Sequence, residues 1–393
     1  MKGSDARPKG LHVRVHSPSF RRPTVLGRRM TNDERRGTCV PHDLDDRVSC
    51  TALIVTYGDR ATLAIRAMSM AIDCGVTDVL LVHNGLTSRV GDRLNEAAAK
   101  LPVPVRTLTL PTNMGSAGGY TRGLQGYIES SSGGLVWMLD DDNEPEPGAL
   151  RAALQVQKSA ASKAIPPSMV AVSCFRPSDS MHSAIARGGR AAVVFPRPGD
   201  FNHFDVRNRL FISKMAKTLL GLRRTLSDKD SSDEIEVPTA PYGGLLIGRQ
   251  LVAAIGLPRQ DFVLYEDDTE YSARVRSAGG KIVLAIDAVV HDPDKEELVC
   301  PTKNVRPLVA MLRTPRSARL RLFYQTRNTV YLDRQRLRQP SHYLWFLLNA
   351  ATYLTCVLTL AALDSRNRVG LTTFFGAVIA GMRAHLGATR RLE

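Results

Sequence analysis

Three consecutive aspartates, Asp140, Asp141 and Asp142, follow the hydrophobic run "LVWML" at residues 135–139. Adjacent carboxylates repel one another, and a divalent cation relieves that repulsion by taking oxygen ligands from two of them. Because side chains alternate along extended backbone, Asp140 and Asp142 are expected on one side and Asp141 on the other. Asp140 and Asp142 are therefore a candidate metal-binding pair, although a solvated acidic turn would produce the same triplet.

A second acidic cluster occurs in "YEDDTEYSAR" at residues 265–274, where Glu266, Asp267, Asp268 and Glu270 begin a predicted helix. Capping of the helix explains one acid in such a cluster but not four. The positive end of the helix dipole favours ionised carboxylates at this position. An ionised carboxylate can accept a proton from a hydroxyl group, so the cluster predicts a general base.

His291 ends the predicted strand "KIVLAIDAVVH" and is followed by Asp292. A single histidine at a strand end is more often structural. Imidazole does, however, bind manganese-like ions together with carboxylates. Considered with the aspartate triplet, His291 is a candidate third metal ligand.

A glycine-rich segment, "NMGSAGGYTRG", covers residues 113–123 and leads into a predicted helix. Its glycines allow close backbone approach and an anion site at the helix start. The spacing is not GxGxxG and the segment follows the third predicted strand, so it is a poor match to a dinucleotide-binding fingerprint. Its candidate binding residues are Asn113, Gly115, Gly118, Gly119 and Arg122.

The elements that must position these residues begin near Val48, where short apolar runs alternate with helical periodicity. "CTALIVTY", "DVLLVHN", "VRTLTL" and "GLVWML" are predicted strands, and helices are predicted between them. This alternation is typical of an α/β sheet covered by helices on both faces. Ligands bind such sheets beyond the carboxyl ends of the strands, where the aspartate triplet is expected. Residues 176–236 are predicted to be an insertion of irregular strands and loops.

The net charge of +15 is concentrated at the two ends of the chain. Residues 1–47 carry a net charge of +5 and residues 301–393 carry +12, which leaves −2 for residues 48–300. A nearly neutral body does not resemble a domain that follows phosphate backbones, so no nucleic-acid partner is expected. Basic ends beside apolar segments fit an anionic membrane surface better.

We predict three regions: a disordered basic tail (1–47), a catalytic domain (48–300) and a basic and apolar helical region (301–393). The tail lacks the apolar core of a signal peptide, and the six scattered cysteines indicate a reducing, cytosolic compartment. Residues 343–363 carry no charge and are long enough to span a bilayer, although four polar residues leave a buried or interfacial helix open.

These motifs together resemble the family 2 inverting glycosyltransferases, which have the GT-A fold, a Rossmann-like mixed sheet flanked by helices. The resemblance covers residues 50–295, and "FYQTRNTVYL" is similar to the "YYxxRN" stretch that follows the catalytic domain in that family. The pairing of "NMGSAGGYTRG" with "DDD" and "DDTEY" looks most similar to the galactofuranosyltransferase branch, whose neighbours include dTDP-rhamnose transferases.

The resemblance implies roles for individual residues. A divalent cation, Mn²⁺ or Mg²⁺, would be held by Asp140, Asp142 and His291, and Asp268 would be the catalytic base. Asp268 is preferred to Asp267 by counting back from Arg274, and the assignment could shift by one residue. The other implied donor or acceptor contacts are Thr56, Tyr57, Arg60, Asn84, Asn113, Gly115, Gly118, Gly119, Arg122, Asp141, Asp267 and Glu270.

The resemblance further implies a UDP- or dTDP-sugar donor, galactofuranose or rhamnose as the transferred sugar, and a glycan or lipid-linked glycan acceptor. The site would act at the cytoplasmic face of the membrane, with the chain bound peripherally or by one C-terminal span. One departure is "VHNG", which has His83 where the family usually has an aspartate that recognises the pyrimidine, so Asn84 or another group would supply that contact. A degenerate transferase without turnover and a basic nucleic-acid-binding protein stay open as alternatives.

Overall fold

The computed structural model describes residues 48–130, 134–209, 234–293 and 307–389, all of which belong to one unit, Val48–Glu393. The predicted tail at 1–47 lies outside the described residues, as do parts of the predicted insertion (210–233) and of the segment that joins the sheet to the C-terminal helices (294–306). The three-region division of the chain stays a prediction.

A mixed sheet forms the centre of the fold. Its strands occur in the order β3-β2-β1-β4-β8-β6-β9-β5, and β7 pairs with β9. The first four strands in this order are parallel, whereas β8 runs antiparallel to both of its neighbours. The predicted mixed α/β fold is confirmed. The strand bounds are β1 (Cys50–Thr56), β2 (Asp78–Asn84), β3 (Val105–Leu110), β4 (Leu135–Asp140), β5 (Glu144–Pro145), β6 (Val170–Phe175), β7 (Glu236–Val237), β8 (Leu245–Gly248) and β9 (Lys281–His291).

Helices cover both faces of the sheet. In β1, Ile54 packs into one hydrophobic core while Leu53 and Val55 pack into the other, as the alternation of side chains in a strand requires. Burial on both faces explains why the central strands are continuous apolar runs. The helix bounds are α1 (Ala61–Asp73), α2 (Ser88–Ala98), α3 (Gly115–Ser130), α4 (Ala149–Ala160), α5 (Ser180–Ala186), α6 (Ala191–Val194), α7 (Val206–Arg209), α8 (Arg249–Ile255), α9 (Asp267–Ser277), α10 (Pro307–Leu312), α11 (Arg319–Gln335), α12 (Pro340–Leu363) and α13 (Leu371–Met382).

The described part of the predicted insertion contains loops and the short helices α5 to α7, whereas irregular strands and loops were expected. Local capping explains the first of them. The side chain of Asp179 accepts hydrogen bonds from the backbone N–H groups of Met181 and His182, at 2.7 and 3.0 Å. These bonds satisfy N–H groups that would have no partner within the helix.

The C-terminal helices pack against this sheet-and-helix body through buried polar contacts. Asn349 of α12 is fully buried, and its Nδ2 donates to the carbonyl oxygen of Gly199 at 2.7 Å. Its Oδ1 accepts from the backbone N–H of Val206 at 2.8 Å. α12 is also long and apolar enough to cross a membrane, with 22% of its most apolar window buried in the protein. One side of this helix therefore belongs to the protein core.

Replacing Asn349 by Ala tests this packing. The substitution leaves a buried carbonyl and a buried N–H group without partners, so we expect a loss of about 2–3 kcal/mol in the free energy of unfolding, measured by urea denaturation. Thr352→Ala is the matched control, because the Thr352 hydroxyl bonds only within its own helix, to Leu348 O. Equal stability of the two variants would contradict the packing role of Asn349.

Candidate active site

The carboxyl ends of β1 and β4 meet beside each other. Val55 of β1 is paired with Asp140 of β4 in parallel register. Thr56, the next residue in β1, consequently lies beside Asp141, and its hydroxyl donates to Asp141 Oδ2 at 2.7 Å. Parallel pairing thus places the aspartate triplet against the end of the first strand.

Arg60 supplies positive charge to two of the three aspartates. Its Nε donates to both carboxylate oxygens of Asp141 at 3.0 Å, and its Nη2 lies 3.1 Å from Asp142 Oδ2. Its guanidinium also lies over the ring of Tyr57, 5.3 Å from the ring centre, and Tyr57 is exposed. Thr56, Tyr57 and Arg60 therefore surround the triplet on the β1 side.

The positive charge of Arg60 does not neutralise the negative charge of the three aspartates. Burial raises the pKa of Asp141 to about 6, although Arg60 and Thr56 act in the opposite direction. Burial, followed by the charges of Asp140 and Asp141, raises the pKa of Asp142 to about 6 as well. Carboxylates whose ionisation is this unfavourable attract a further cation.

Asp140 is fixed by polar contacts on its other side. The Tyr120 hydroxyl lies 2.8 Å from Asp140 Oδ1, within donating distance. Asn143 Oδ1 accepts from the backbone N–H of Asp140 at 2.9 Å and closes the turn after β4. Asn143 Nδ2 donates to Asp292 Oδ1 at 2.6 Å, so the same side chain connects the triplet to the end of β9.

Asp140, Asp142 and Asp292 form a group that could hold a metal ion, because one oxygen of each lies within 4.8 Å of the others. Oxygen-only ligands suit Mg²⁺ and Mn²⁺. Gly243 lets the backbone approach this group closely, because an added Cβ would lie 2.4 Å from Asn143 Oδ1 and 2.7 Å from Asp140 Oδ2. The residues present therefore fit a divalent cation.

Asp292 is also the acceptor for several donors. The buried guanidinium of Arg176 pairs with both of its oxygens, and the Ser178 hydroxyl donates to Oδ2 at 2.8 Å. The Arg176 guanidinium also lies 3.8 Å from Asp140 Oδ2. Arg176 therefore balances part of the acidic charge from the side opposite Arg60.

His291, predicted as a metal ligand, lies outside this acidic group. Its Nε2 is 2.9 Å from Glu146 Oε1, and its side chain is 37% exposed. His291 is paired with Glu144 in the β5–β9 ladder, and Asp292 follows it directly. Asp292, the residue after the predicted histidine, therefore lies beside the aspartates. The one sequence signal for Asp292 was its position directly after the strand end.

The second acidic cluster begins α9. Asp267 is 3% exposed, and the Ser116 hydroxyl lies 3.0 and 2.9 Å from its two oxygens. Burial and the charge of Asp268 raise the pKa of Asp267 well above its usual range, and the charge of Asp140 adds to the effect. The two acidic clusters therefore lie close enough to act on each other.

Asp268 is half-buried, and its Oδ1 accepts from the N–H of Thr269 at 2.7 Å.

Two further predicted contacts are already engaged elsewhere. Glu270 is paired with Arg274 one helical turn later, and Arg274 also donates to the carbonyl of Leu257 at 2.9 Å. Arg122 is exposed on α3 and donates to Gln125 Oε1 at 3.0 Å. These contacts favour structural roles for both side chains, and Arg60 and Arg176 are the cations beside the aspartates.

The glycine-rich segment is used mainly for packing. Gly115 has φ +72°, and a Cβ there would lie 2.0 Å from Val263 O in the loop before α9. At Gly118 and Gly119 a Cβ would meet Met114 and Val55, at 2.4 and 2.5 Å. Gly119 thus lets α3 approach the sheet and Gly115 lets it approach the loop before α9, while the anion site at this segment stays a prediction.

Asn84 and Asn113 shape the start of α3. Asn84 is buried, its Nδ2 donates to Gly115 O at 2.9 Å, and its Oδ1 accepts from Met114 N–H at 2.8 Å. Asn113 Oδ1 accepts from Gly115 N–H at 2.9 Å.

His83 is buried with Nε2 lacking a hydrogen-bond partner in the described part of the chain, and burial lowers its pKa.

The loop before α9 is held in an unusual conformation. Val263, Tyr265 and Glu266 have φ of 67°, 66° and 61°, a region that residues with a Cβ rarely occupy. Buried Asn328 of α11 donates from Nδ2 to the carbonyls of Phe262, Leu264 and Tyr265, at 3.0, 2.9 and 2.8 Å. Contacts from a C-terminal helix thus hold the strained backbone that leads into Asp267 and Asp268.

Replacing Asn328 by Ala should release this loop. Loss of three hydrogen bonds is expected to speed amide hydrogen exchange in residues 262–270 about 10- to 100-fold, measured by mass spectrometry. Gln325→Ala is the control, because Gln325 is exposed on the same helix. Unchanged exchange in the Asn328 variant would show that other contacts suffice to hold the loop.

Asp142→Asn tests the charge imbalance in the triplet. The folded-state pKa of Asp142 is raised from 3.8 to about 6. Ionisation of Asp142 therefore lowers the free energy of unfolding as the pH rises through this range, and the full loss persists at higher pH. Without metal, the variant should match the wild type near pH 4 and exceed its free energy of unfolding by about 1–3 kcal/mol near pH 8.

Urea denaturation with a chelator or with Mn²⁺ checks both parts of this prediction. Mn²⁺ should stabilise the wild type at about pH 8 and stabilise the Asp142 variant much less. Asp59→Asn is the control, because that side chain is 77% exposed. A stability difference already present near pH 4, or equal stabilisation by Mn²⁺, would argue against the cation site.

Comparison with known proteins gives a family. A family model described as glycosyltransferase like family 2 matches residues 49–313. No curated protein sequence matches the chain. Among solved structures, the chain is similar to a mannosyltransferase, PcManGT, from Pyrobaculum calidifontis in complex with GDP-Man and Mn²⁺, with 14% identity, a TM-score of 0.45, and coverage of 86% of this chain and 88% of that one.

Two further structures show weaker likeness. S. aureus TarS has 8% identity and a TM-score of 0.42, over 85% of this chain and 55% of that one. Glucosyl-3-phosphoglycerate synthase from Mycobacterium tuberculosis, in complex with Mn²⁺, UDP and phosphoglyceric acid, has 14% identity and a TM-score of 0.35, over 62% and 69%. These scores are too low to carry a conclusion about this chain. The family model covers more than half of the chain, which therefore belongs to glycosyltransferase family 2 and is a glycosyltransferase.

Proposed function

We propose that the protein is an inverting, metal-dependent transferase that moves galactofuranose or rhamnose from a UDP- or dTDP-sugar to a glycan or lipid-linked glycan. The observation that carries the proposal is that one helix, α3, contacts both acidic clusters about one turn apart: the Ser116 hydroxyl lies 3.0 and 2.9 Å from the oxygens of Asp267, and the Tyr120 hydroxyl lies 2.8 Å from Asp140 Oδ1. The cluster at Asp140 and Asp142 suits a cation, and the cluster at Asp267 and Asp268 suits a proton acceptor. The proposed reaction requires both. The choice of sugar rests on the resemblance of the motifs alone.

On the donor side, we assign Asp140 and Asp142 as ligands of Mn²⁺ or Mg²⁺, with Asp292 in the place first predicted for His291. When bound, the cation would neutralise charge on the departing nucleotide diphosphate. Arg60 holds Asp141 and Asp142 in position, and its partner Tyr57 is exposed where a base or sugar could stack. Asn84 is engaged by the start of α3 and is not proposed to recognise the base.

On the acceptor side, Asp268 takes the proton from the attacking hydroxyl. The hydroxyl oxygen forms the new bond to the anomeric carbon as the bond to the diphosphate breaks on the opposite face, which inverts the configuration. Asp268 is more exposed than Asp267, which is buried against Ser116. This difference in exposure supports Asp268 as the base and leaves Asp267 to organise the start of α9.

The proposed place of action is the cytoplasmic face of the membrane. α12 is long and apolar enough to cross a bilayer, and several large apolar side chains on it are exposed, including Leu344 and Leu347. The fold holds the opposite side of α12 through Asn349. Peripheral insertion of the exposed side satisfies both observations, whereas a single span would require Asn349 to leave Gly199 and Val206.

Asp268→Asn tests the base. Loss of a general base is expected to lower kcat by about 10²–10⁴-fold while donor binding is retained. Glu270→Gln is the matched control on the same helix, because Glu270 is paired with Arg274, and it should keep most of the activity. Transfer at the wild-type rate by the Asp268 variant would exclude this residue as the base.

Calorimetry of UDP-, dTDP- and GDP-sugars, with and without Mn²⁺, tests the donor. We expect binding of a UDP- or dTDP-sugar that requires Mn²⁺, because the carboxylates and the diphosphate would otherwise repel each other. The Asp142→Asn variant should lose most of the metal-dependent affinity. Tight binding of the same donor in the presence of chelator would contradict the proposed role of the triplet.

A further inference from the structure

A cavity of about 800 Å³ lies between α10, α12 and the turn at residues 201–204. Its walls are largely apolar and include Leu308 and Met311 from α10 and Leu360 from α12. The volume is typical of a site that takes a small organic ligand. The donor-side aspartates do not line it, so the cavity is separate from the proposed metal and nucleotide contacts.

The turn that forms one wall of the cavity is firmly fixed. Phe201 and Phe204 exchange backbone hydrogen bonds of 3.0 and 2.9 Å, and Asn202 and His203 between them both have positive φ, of 50° and 58°. This is the geometry of a tight two-residue hairpin turn. Asn202 Nδ2 also donates to the hydroxyl of Tyr353 on α12 at 2.9 Å, which ties the turn to the opposite wall.

His203 connects this wall to the acidic loop, the segment at residues 262–266 that precedes α9. Its Nε2 lies 3.1 Å from Glu266 Oε1, and Thr329 Oγ1 donates to the same oxygen at 3.3 Å. Glu266 immediately precedes Asp267 and Asp268 in the chain. A ligand that fills the cavity would therefore have one end beside the residues that precede the proposed base.

The cavity opens toward the exposed apolar side of α12. Thr355, Cys356 and Thr359 line the cavity and are exposed. Leu344 and Leu348 lie on the same side of the helix as Thr355 and Thr359, because the spacings of 4, 7 and 4 residues match the helical repeat. Both leucines are exposed, so this side of α12 carries exposed apolar surface two to three turns before the mouth of the cavity.

We propose that this cavity binds the hydrocarbon tail of a lipid-linked acceptor, a prenyl or long alkyl chain, with its head directed past His203 toward Asp268. This assignment rests on the proposed function. An apolar cavity beside a helix with exposed leucines accounts for a hydrocarbon ligand, and the contact between His203 and Glu266 accounts for an acceptor rather than a bystander lipid. The C-terminal helices would then select the acceptor as well as contact the membrane.

Cys356 offers a direct readout of occupancy, because it is a free, exposed thiol on the cavity wall. The full-length protein is alkylated with a maleimide, and modification of Cys356 and Cys74 is followed separately by peptide mass spectrometry. Farnesyl phosphate is expected to slow the alkylation of Cys356 about fivefold or more by burying apolar surface in the cavity, and inorganic phosphate is expected to have no effect. Cys74, which lies beside Glu146, is the internal control.

Two outcomes of this experiment would overturn the proposal. An unchanged rate at Cys356 would show that the cavity does not take a prenyl chain. Equal protection by phosphatidylcholine vesicles that contain no prenyl phosphate would assign the cavity to bulk lipid instead of the acceptor.

Transfer kinetics with farnesyl galactoside and methyl galactoside as acceptors test the consequence for the reaction. The wild type should show a KM about tenfold or more lower for the farnesyl acceptor, because its tail adds apolar contact. Cys356→Trp and Thr359→Trp fill the cavity and should remove most of this preference. Leu358→Trp is the matched control, because Leu358 is 53% exposed and does not line the cavity.

The two experiments separate failure of this inference from failure of the proposed function. Transfer to both acceptors without a tail preference would overturn the cavity assignment and leave the transferase intact. Absence of transfer from every donor, with Cys356 still protected by farnesyl phosphate, would overturn the proposed reaction while tail binding stands. Loss of the preference in the Leu358 variant as well would exclude a cavity-specific effect.

Discussion

Mutual repulsion among buried and half-buried carboxylates is the constraint on which the rest of this site depends. The side chains concerned are Asp140, Asp141, Asp142, Asp267 and Asp292. Two guanidinium groups offset part of the charge, Arg60 from the side of β1 and Arg176 from beneath Asp292. Even so, the pKa values of Asp141 and Asp142 stay near 6. The charge at the carboxyl ends of β4 and β9 therefore favours a divalent cation among these side chains.

The second dependence is mechanical. The loop that leads into α9 occupies a backbone region that costs roughly 1–3 kcal/mol for each residue with a Cβ, and Val263, Tyr265 and Glu266 all lie there. Asn328 supplies three hydrogen bonds to this loop from α11, and Gly115 on α3 leaves room for the carbonyl of Val263. The position of Asp268 thus depends on a helix that follows it by many residues. These contacts predict that removal of the C-terminal helices would disturb the loop that carries Asp268.

The C-terminal helices consequently have two structural relationships. One side of α12 is tied to the body of the protein through Asn349, and another exposes leucines over much of its length. The cavity beside Cys356 lies where these two sides meet, and the His203 turn joins it to the acidic loop. The exposed leucines of α12 and the contacts that fix the loop before Asp268 therefore belong to one connected set of helices.

The mixed α/β fold and both acidic clusters could be predicted from the sequence, because hydrophobic periodicity and carboxylates at strand ends are local signals that a single chain carries. Asp140 and Asp142 were predicted to share a side from strand alternation alone. The contacts between distant segments could not be predicted in this way: Asp292 lies beside the triplet, Arg176 pairs with Asp292, and Asn328 bonds to the strained loop. The partners in these contacts are tens of residues or more apart, and their pairing depends on the order and direction of strands and on helix packing, which no short pattern records.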